Sequence, residues 1–264
     1  MIETIRKRIE TTLPFRELGE RIASLPAGGR VDVRGISGSL LAFAAAALYE
    51  SRRSQVLLLV PDTDRAEQLR DDCSLLLGEN AVRLYSHGSG HKGALLDMTA
   101  PIAQIEALKA LTGHELVVVV ASAEAVAHRI PPPTDFRTRT LEVSSGKEHS
   151  FEGLIEHLTS LGFERKDFVE EYGDFAVRGG ILDVFPYIGD NPIRIEFWGD
   201  SIDSIREFDA LSQRSIRELQ TAAIVARLSP SDEPSAVTSS IFDYLHSDAL
   251  VLLDEPASIQ KEIE

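Results

Sequence analysis

Residues 173–186 read Gly-Asp-Phe-Ala-Val-Arg-Gly-Gly-Ile-Leu-Asp-Val-Phe-Pro, and residues 193–209 read Ile-Arg-Ile-Glu-Phe-Trp-Gly-Asp-Ser-Ile-Asp-Ser-Ile-Arg-Glu-Phe-Asp. Apolar and polar residues alternate in both runs, and glycines separate the alternating stretches. This pattern is typical of consecutive β-strands joined by tight turns. Because successive side chains of a strand point to opposite faces, Ile193, Ile195 and Phe197 are expected to face a core.

The opposite face of the same strands carries charged and aromatic residues. It is expected to present Arg194, Glu196 and Trp198, and the alternation of 175–178 adds Ala176 and Arg178, with Phe175 and Val177 inside. Trp198 is the only tryptophan of the chain. Arginine and tryptophan dominate binding energy in protein interfaces, so this face is predicted to bind a partner. The alternative is a solvated face with Trp198 packed under a loop.

The segment also resembles a known family. Arg-Gly-Gly-Ile-Leu-Asp-Val-Phe-Pro followed by Ile-Arg-Ile-Glu-Phe-Trp-Gly-Asp is similar to the second domain of the bacterial transcription-repair coupling factor (Mfd) and, more loosely, to the excinuclease B subunit (UvrB). The resemblance implies an adaptor that recruits the excinuclease A subunit (UvrA) to stalled RNA polymerase. It implies that Arg178, Arg194 and Trp198 form the UvrA contact, although relatives carry a different aromatic residue at the Trp198 position. Glu196, between them, is expected to orient Arg194 or to contact UvrA.

Composition narrows the classes of function. The chain has 264 residues, a net charge of −15 and a single cysteine, Cys73. An acidic balance argues against a large non-specific nucleic-acid surface, so little direct DNA binding is expected. One cysteine allows no internal disulfide, which suits the cytoplasm. The longest apolar run, Leu40–Tyr49, is too short to span a bilayer.

The first part of the chain alternates helical and strand patterns. A doubly wound α/β fold with a parallel sheet is therefore predicted. Strands are expected at 31–34, 55–61, 81–85, 115–121 and 249–256, and helices at 1–28, 39–51, 64–77 and 101–111.

The pattern changes after Ile130-Pro-Pro-Pro-Thr134. One amphipathic helix at 151–161 is followed by the strands quoted above, which is an α+β arrangement rather than an α/β one. The predicted organisation is residues 1–133 as the first part of the α/β domain, 134–211 as an inserted α+β domain and 212–264 as the return to the first domain.

The segment around Gly35 and Gly38 has the strand–turn–helix order of a phosphate-binding loop. A Walker A loop needs a lysine for the phosphates and a Ser or Thr for Mg²⁺. Alignment on Gly35 puts Leu41 at the lysine position and Ala42 at the Ser/Thr position. The loop is therefore interpreted as structural, and no ATP or Mg²⁺ site is expected in it.

Leu250-Val-Leu-Leu-Asp254-Glu255 is similar to a Walker B strand, but the matching lysine is missing, so a strand followed by an acidic helix start is favoured. The resemblance implies a degenerate RecA-like (P-loop helicase-type) domain without nucleotide hydrolysis. In the family, ATP, Mg²⁺, DNA and RNA polymerase are bound by downstream parts of a longer protein, of which this chain is expected to be a fragment.

Two alternatives are enzymatic or nucleotide-dependent. A fragment of a UvrB-like DNA-dependent ATPase would need a working Walker A loop and an aromatic damage-recognition hairpin, but Ser86–Ala100 contains no aromatic residue besides histidine. A free-standing nucleotide-binding switch would need the same lysine. His87, His91, Asp97 and His114 match no metal-ligand spacing, so no metal site is predicted.

Overall fold

The computed structural model describes residues 2–26, 28–87, 99–113, 115–228 and 238–263. The chain divides into two compact units. Unit 1 comprises Met1–Ile130 with Thr238–Glu264, and unit 2 comprises Pro131–Val237. The predicted insert of 134–211 lies inside unit 2, which continues beyond it.

Unit 1 is built on a parallel four-stranded sheet. Its strands are β1 (Val56–Val60), β2 (Val82–Tyr85), β3 (Val118–Ser122) and β12 (Leu250–Leu253), and they stand in the order β12-β1-β3-β2. The described helices of the unit are α1 (Ile2–Glu10), α2 (Leu13–Ala23), α3 (Leu40–Arg52), α4 (Thr63–Leu77), α5 (Thr99–Thr112), α6 (Ala123–Ala127) and α9 (Pro256–Ile263), with short 3₁₀ helices at Glu79–Ala81 and Ile241–Tyr244.

Continuous apolar strands explain why this sheet is buried. Every residue of β1 and of β3 is buried, as expected for central strands of a parallel sheet covered on both faces. Helix α4 starts at an N-cap, where Asp62 Oδ1 accepts a hydrogen bond from the backbone N–H of Arg65 at 2.8 Å, and it ends at Gly78, whose φ is +88°. The predicted α/β fold with a parallel sheet is confirmed.

The predicted strand at 31–34 is wrong. Residues 31–34 form no strand and are mostly exposed, with Val33 47% accessible. Two valines alternating with Asp32 and Arg34 offer too little apolar surface to compete for a place in the sheet.

Unit 2 is α+β. Its strands are β4 (Thr140–Ser144), β5 (Glu164–Arg165), β6 (Asp174–Arg178), β7 (Ile181–Val184), β8 (Ile193–Trp198), β9 (Ser201–Phe208), β10 (Ser215–Leu219) and β11 (Thr221–Val225), and its helices are α7 (Pro133–Thr138) and α8 (Phe151–Ser160). Strands β10-β9-β8-β7-β6-β5 form one sheet, which is antiparallel except for the β5–β6 pair, and β4 pairs with β11 in a second.

The core of unit 2 lies on one face of the six-stranded sheet. Helix α8 begins at Ser150, whose Oγ accepts from the Gly153 N–H at 3.1 Å, and it contributes Leu154 and Leu158 to that core. The sheet contributes apolar side chains from four strands: Phe175, Leu182, Val184, Ile193, Ile195, Phe197, Ile202 and Ile205. The opposite face of the sheet is thereby left for the charged residues. Among the described residues, no helix is both long and apolar enough to cross a membrane.

The only cysteine of the chain should be chemically inert in the native state. Cys73 lies on α4 with no accessible surface, and burial raises the pKa of its thiol to about 12. Because the thiolate is the reactive form, we expect no reaction with Ellman's reagent at pH 8 and one thiol per chain in guanidinium chloride. Rapid labelling of the native protein would contradict this placement.

Candidate partner-binding face

The charged face is the side of the six-stranded sheet opposite the core of unit 2. A hairpin turn at Gly179-Gly180 positions its strands. Arg178 pairs with Ile181 across it, so the turn has two residues. Gly179 has φ of +59°, a conformation that favours glycine. A Cβ on Gly180 would lie 2.7 Å from the carbonyl oxygen of Phe197, so only glycine lets β8 approach here. Both glycines of the motif thus help to set β6, which carries Arg178, and β8, which carries Arg194, on either side of β7.

A buried carboxylate lies at the centre of this face. Asp183, on β7, has no accessible surface and stands directly opposite Ala176 on β6 and Arg194 on β8. Its Oδ1 accepts from Arg194 Nε at 2.7 Å and its Oδ2 from Arg194 Nη2 at 2.8 Å, a bidentate ion pair. Arg178 also donates to Oδ2 through Nη2. One carboxylate therefore fixes both arginines that the sequence predicted as contact residues.

Arg194 is held on three sides. Besides Asp183, its Nη2 donates to Gln213 Oε1 at 3.1 Å, and its guanidinium carbon lies 4.5 Å from the centre of the Phe208 ring. Hydrogen bonding to Asp183 raises the pKa of Arg194. Its side chain is only 18% exposed, so Arg194 supports the face as well as presenting itself on it.

A second ion pair neutralises the like charges of this face. Arg206 on β9 stands directly opposite Arg194, a pairing that is unfavourable unless each arginine has its own carboxylate. Glu196 supplies the second carboxylate: it accepts from Arg206 Nη2 and, at 2.8 Å, from Ser204 Oγ. Glu196 therefore pairs with Arg206 and not with Arg194, and its other expected role, contact with UvrA, stays a prediction.

Trp198 projects from the end of β8. It is 87% exposed, which rules out the alternative of a tryptophan packed under a loop. Gly199, with φ of +62°, opens the turn to β9, where Trp198 pairs with Ser201. A β-bulge in β9 opposite Glu196 and Phe197 leaves the alternation of β8 intact, so Trp198 stays on the face of Arg194.

One residue of β6 and one of β7 differ from what the sequence pattern predicted. Ala176 is buried with Val169 and Phe185 in a small second cluster, although alternation placed it outside. Asp183 was not among the residues predicted from the sequence. The signal that could have found it is an aspartate in an otherwise apolar strand, with one arginine directly before the glycine turn and another on the next strand.

The glycine loop of unit 1 does not have the side chains of a nucleotide site. Leu41 and Ala42 are buried in the core against the sheet, and Gly35 and Gly38 both have positive φ. The positions of the Walker lysine and hydroxyl therefore face the protein interior, consistent with their apolar character.

An arginine joins the glycine loop to the Walker B-like strand. Arg65 Nε donates to Asp254 Oδ2 at 3.0 Å, and Arg65 Nη2 donates to the carbonyl oxygen of Gly38 at 3.0 Å. Both side chains of the ion pair are about four-fifths buried. Asp254, the Walker B-like aspartate, thus has a guanidinium partner, and Glu255 beside it adopts a left-handed conformation with φ of +52°.

Of the proposed histidine group only His87 falls in the described residues. It stacks on His128 with ring centres 3.5 Å apart, and burial together with that neighbour lowers its pKa. Among the described residues no cluster of His, Cys, Asp and Glu has metal-site geometry. His91, Asp97, His114 and most of the interval 86–100 lie outside the described residues.

Comparison with known proteins bears on the same region. The UvrB interaction domain family matches residues 141–228, which include the whole charged face. The chain is 30% identical to the transcription-repair-coupling factor of Bacillus subtilis over 72% of its length and 30% identical to that of Myxococcus xanthus over 80%. It is 29% identical to UvrABC system protein B of Thermosipho africanus over 77%. It spans 16% and 18% of the two coupling factors and 33% of the UvrB protein.

These similarities define the class: a UvrB-like module that carries a UvrB interaction domain at 141–228. Its similarity over most of its length to transcription-repair-coupling factors supports the narrower assignment, an N-terminal UvrB-like module of the Mfd type. The resemblance stated from the sequence is thereby confirmed.

Removal of the central carboxylate should destabilise unit 2. Asp183→Ala leaves the largely buried Arg194 without its bidentate partner, and breaking a buried pair costs on the order of 3 kcal/mol. Urea unfolding should report that loss in the free energy of unfolding. Asp203→Ala, an exposed carboxylate on β9 of the same sheet, is the matched control and should change it by less than about 0.5 kcal/mol. Equal effects of the two variants would contradict a structural role for Asp183.

Proposed function

We propose that this chain is the adaptor module of a transcription-repair coupling factor, which recruits the UvrA subunit of nucleotide excision repair to stalled RNA polymerase in the cytoplasm. The observation that carries the proposal is the exposed Trp198 beside two arginines held by one buried carboxylate. This arrangement lies inside the UvrB interaction domain, on the sheet face opposite the core.

The geometry suits recognition of a carboxylate-bearing surface. Arg178 is 39% exposed and donates to Asp183 through one nitrogen, and the described residues give its other N–H groups no acceptor. A guanidinium has five N–H donors, so Arg178 keeps donors for a partner. Because Asp183 fixes it in advance, little side-chain entropy is lost on binding.

We propose further that unit 1 is a degenerate RecA-like domain that binds no nucleotide and catalyses no hydrolysis. Leu41 and Ala42 supply neither a cation for phosphates nor a metal ligand, and Arg65 already engages Asp254. Its role is to carry unit 2. We place the contacts with RNA polymerase and DNA, and the use of ATP and Mg²⁺, outside this chain; this chain itself should bind DNA weakly because of its net charge of −15.

The second candidate is a fragment of a UvrB-like DNA-dependent ATPase. Similarity to UvrABC system protein B over 77% of the chain favours it. The two candidates share the UvrA contact and differ in nucleotide binding, so an ATP measurement separates them.

Binding to UvrA should depend on the charged face. Trp198→Ala and Arg178→Ala should each weaken binding by about 2 kcal/mol, roughly thirtyfold in Kd, in biolayer interferometry with purified UvrA. Arg178→Lys should also weaken it, because an ammonium cannot reproduce a two-pronged donor. Arg137→Ala, an exposed arginine on α7 of the same unit, should bind as the parent does. Arg194→Ala is a poorer probe because it leaves the buried Asp183 carboxylate without its bidentate partner.

If the Trp198 and Arg178 variants are folded and bind UvrA like the parent, the contact lies elsewhere. Folding is checked by thermal unfolding. The melting temperature should hardly change for Trp198→Ala, whose side chain is exposed, and should fall slightly for Arg178→Ala, which removes one donor to the buried Asp183 while Arg194 keeps its bidentate pair.

Isothermal titration of the chain with Mg²⁺–ATP should give no binding heat at micromolar concentrations. Arg65→Ala should also give no binding heat, because we attribute the lack of phosphate binding to the absence of the Walker lysine and not to the Arg65–Asp254 pair. Micromolar, Mg²⁺-dependent binding by the parent would favour the UvrB-like ATPase. Binding gained only by Arg65→Ala would assign the exclusion to the ion pair instead.

A further inference from the structure

A leucine beside the charged face is almost fully exposed. Leu211 is 97% accessible and lies in the turn between β9 and β10. Single exposed apolar residues are common, so exposure alone assigns it nothing. Leu211 differs from other exposed apolar residues in two ways: its turn is closed by hydrogen bonds, and Gln213 of that turn contacts Arg194.

The turn is closed by its own hydrogen bonds. Asp209 Oδ1 accepts from the Ser212 N–H at 2.7 Å, and the carbonyl oxygen of Asp209 accepts from the Gln213 N–H at 2.8 Å. Gln213 Nε2 donates to the carbonyl oxygen of Ala210 at 2.8 Å. Leu211 is therefore presented from a fixed backbone, so little backbone entropy is lost when a partner covers it.

Gln213 ties this turn to the arginine centre. Its amide side chain donates to the turn through Nε2 and accepts from Arg194 Nη2 through Oε1, at 3.1 Å. The Phe208 N–H donates to the carbonyl oxygen of Pro192 at 3.0 Å, which places the turn at the end where β8 begins. Trp198 ends the same strand, about 13 Å from Arg194 at the rise of an extended chain. The turn that carries Leu211 and the exposed Trp198 thus lie near opposite ends of β8.

The charges between these two apolar residues are balanced in pairs. Arg178 and Arg194 share Asp183, and Arg206 donates to Glu196. Glu218 on β10 stands directly opposite Arg206, so three arginines face three carboxylates. The face therefore offers fixed guanidinium donors rather than an excess of positive charge, and apolar anchors at its ends would add to the affinity for a partner.

We propose that Leu211 is a second apolar anchor of the UvrA contact, inserted into an apolar recess of UvrA that is separate from the site that receives Trp198. The inference deepens the proposed function and rests on it. Gln213 is the positioning residue that couples this anchor to Arg194.

The main test is the affinity of Leu211→Ser for purified UvrA. We expect a Kd at least tenfold weaker than that of the parent, with an unchanged melting temperature because the side chain packs against nothing. Leu75→Ser is the matched control: Leu75 is 67% exposed, on α4 of unit 1, and its variant should bind like the parent. On the parent protein itself, hydrogen exchange of residues 209–214 should slow when UvrA is added.

Gln213→Asn tests the coupling separately. Asparagine tolerates the left-handed φ of +59° at this position but is one methylene too short to bridge Ala210 and Arg194. Its binding should weaken severalfold, and the double variant Leu211→Ser/Gln213→Asn should bind no more weakly than Leu211→Ser alone.

The outcomes separate the two claims. If the parent binds UvrA and Trp198→Ala weakens it while Leu211→Ser does not, the second anchor is wrong and the proposed function stands. If the parent fails to bind UvrA, the proposed function and the anchor both fall. Slower hydrogen exchange of 209–214 in the parent, without loss of affinity in Leu211→Ser, would also overturn the anchor. It would mean that UvrA covers the turn but that the Leu211 side chain adds nothing to the affinity.

Discussion

The buried carboxylate of Asp183 is the constraint on which the functional face depends. It has no access to water, so it must be paired, and it is paired with two arginines from neighbouring strands. The glycine pair 179–180 brings those strands close enough for the pairing. Each arginine is thus positioned by folding rather than by the partner. The arginines of this surface are therefore not independent of the protein interior, because the buried side chain of Asp183 holds both of them.

The alternation of apolar residues in 173–209 was enough to predict the strands, the core side of β8 and the exposed positions of Arg178 and Trp198. It failed where tertiary packing overrides period two: Ala176 is covered on its outer face by Val169 and Phe185. The predicted strand at 31–34 was wrong although its local pattern was that of a strand, because no described strand of the sheet pairs with these residues. Pairings across strands, such as Asp183 with Arg194 or Glu196 with Arg206, depend on register, which a single sequence does not specify.

The two units differ in how exposed their arginines are. Unit 2 concentrates arginines on one sheet face and leaves them partly exposed. In unit 1 the arginine that matters most, Arg65, is largely buried and bonded to the protein itself. On the proposed function, unit 1 supplies a stable domain and unit 2 makes the contact with UvrA.

The Arg65–Asp254 pair has a consequence for regulation. A cation attached covalently to the chain cannot be diluted, exchanged or hydrolysed, whereas a bound nucleotide can be all three. On the proposal that unit 1 binds no nucleotide, the loop and the acidic strand, joined by Arg65, have no ligand-dependent state to cycle through. The shape of the domain would then be independent of the cellular ratio of ATP to ADP, unlike that of a motor domain.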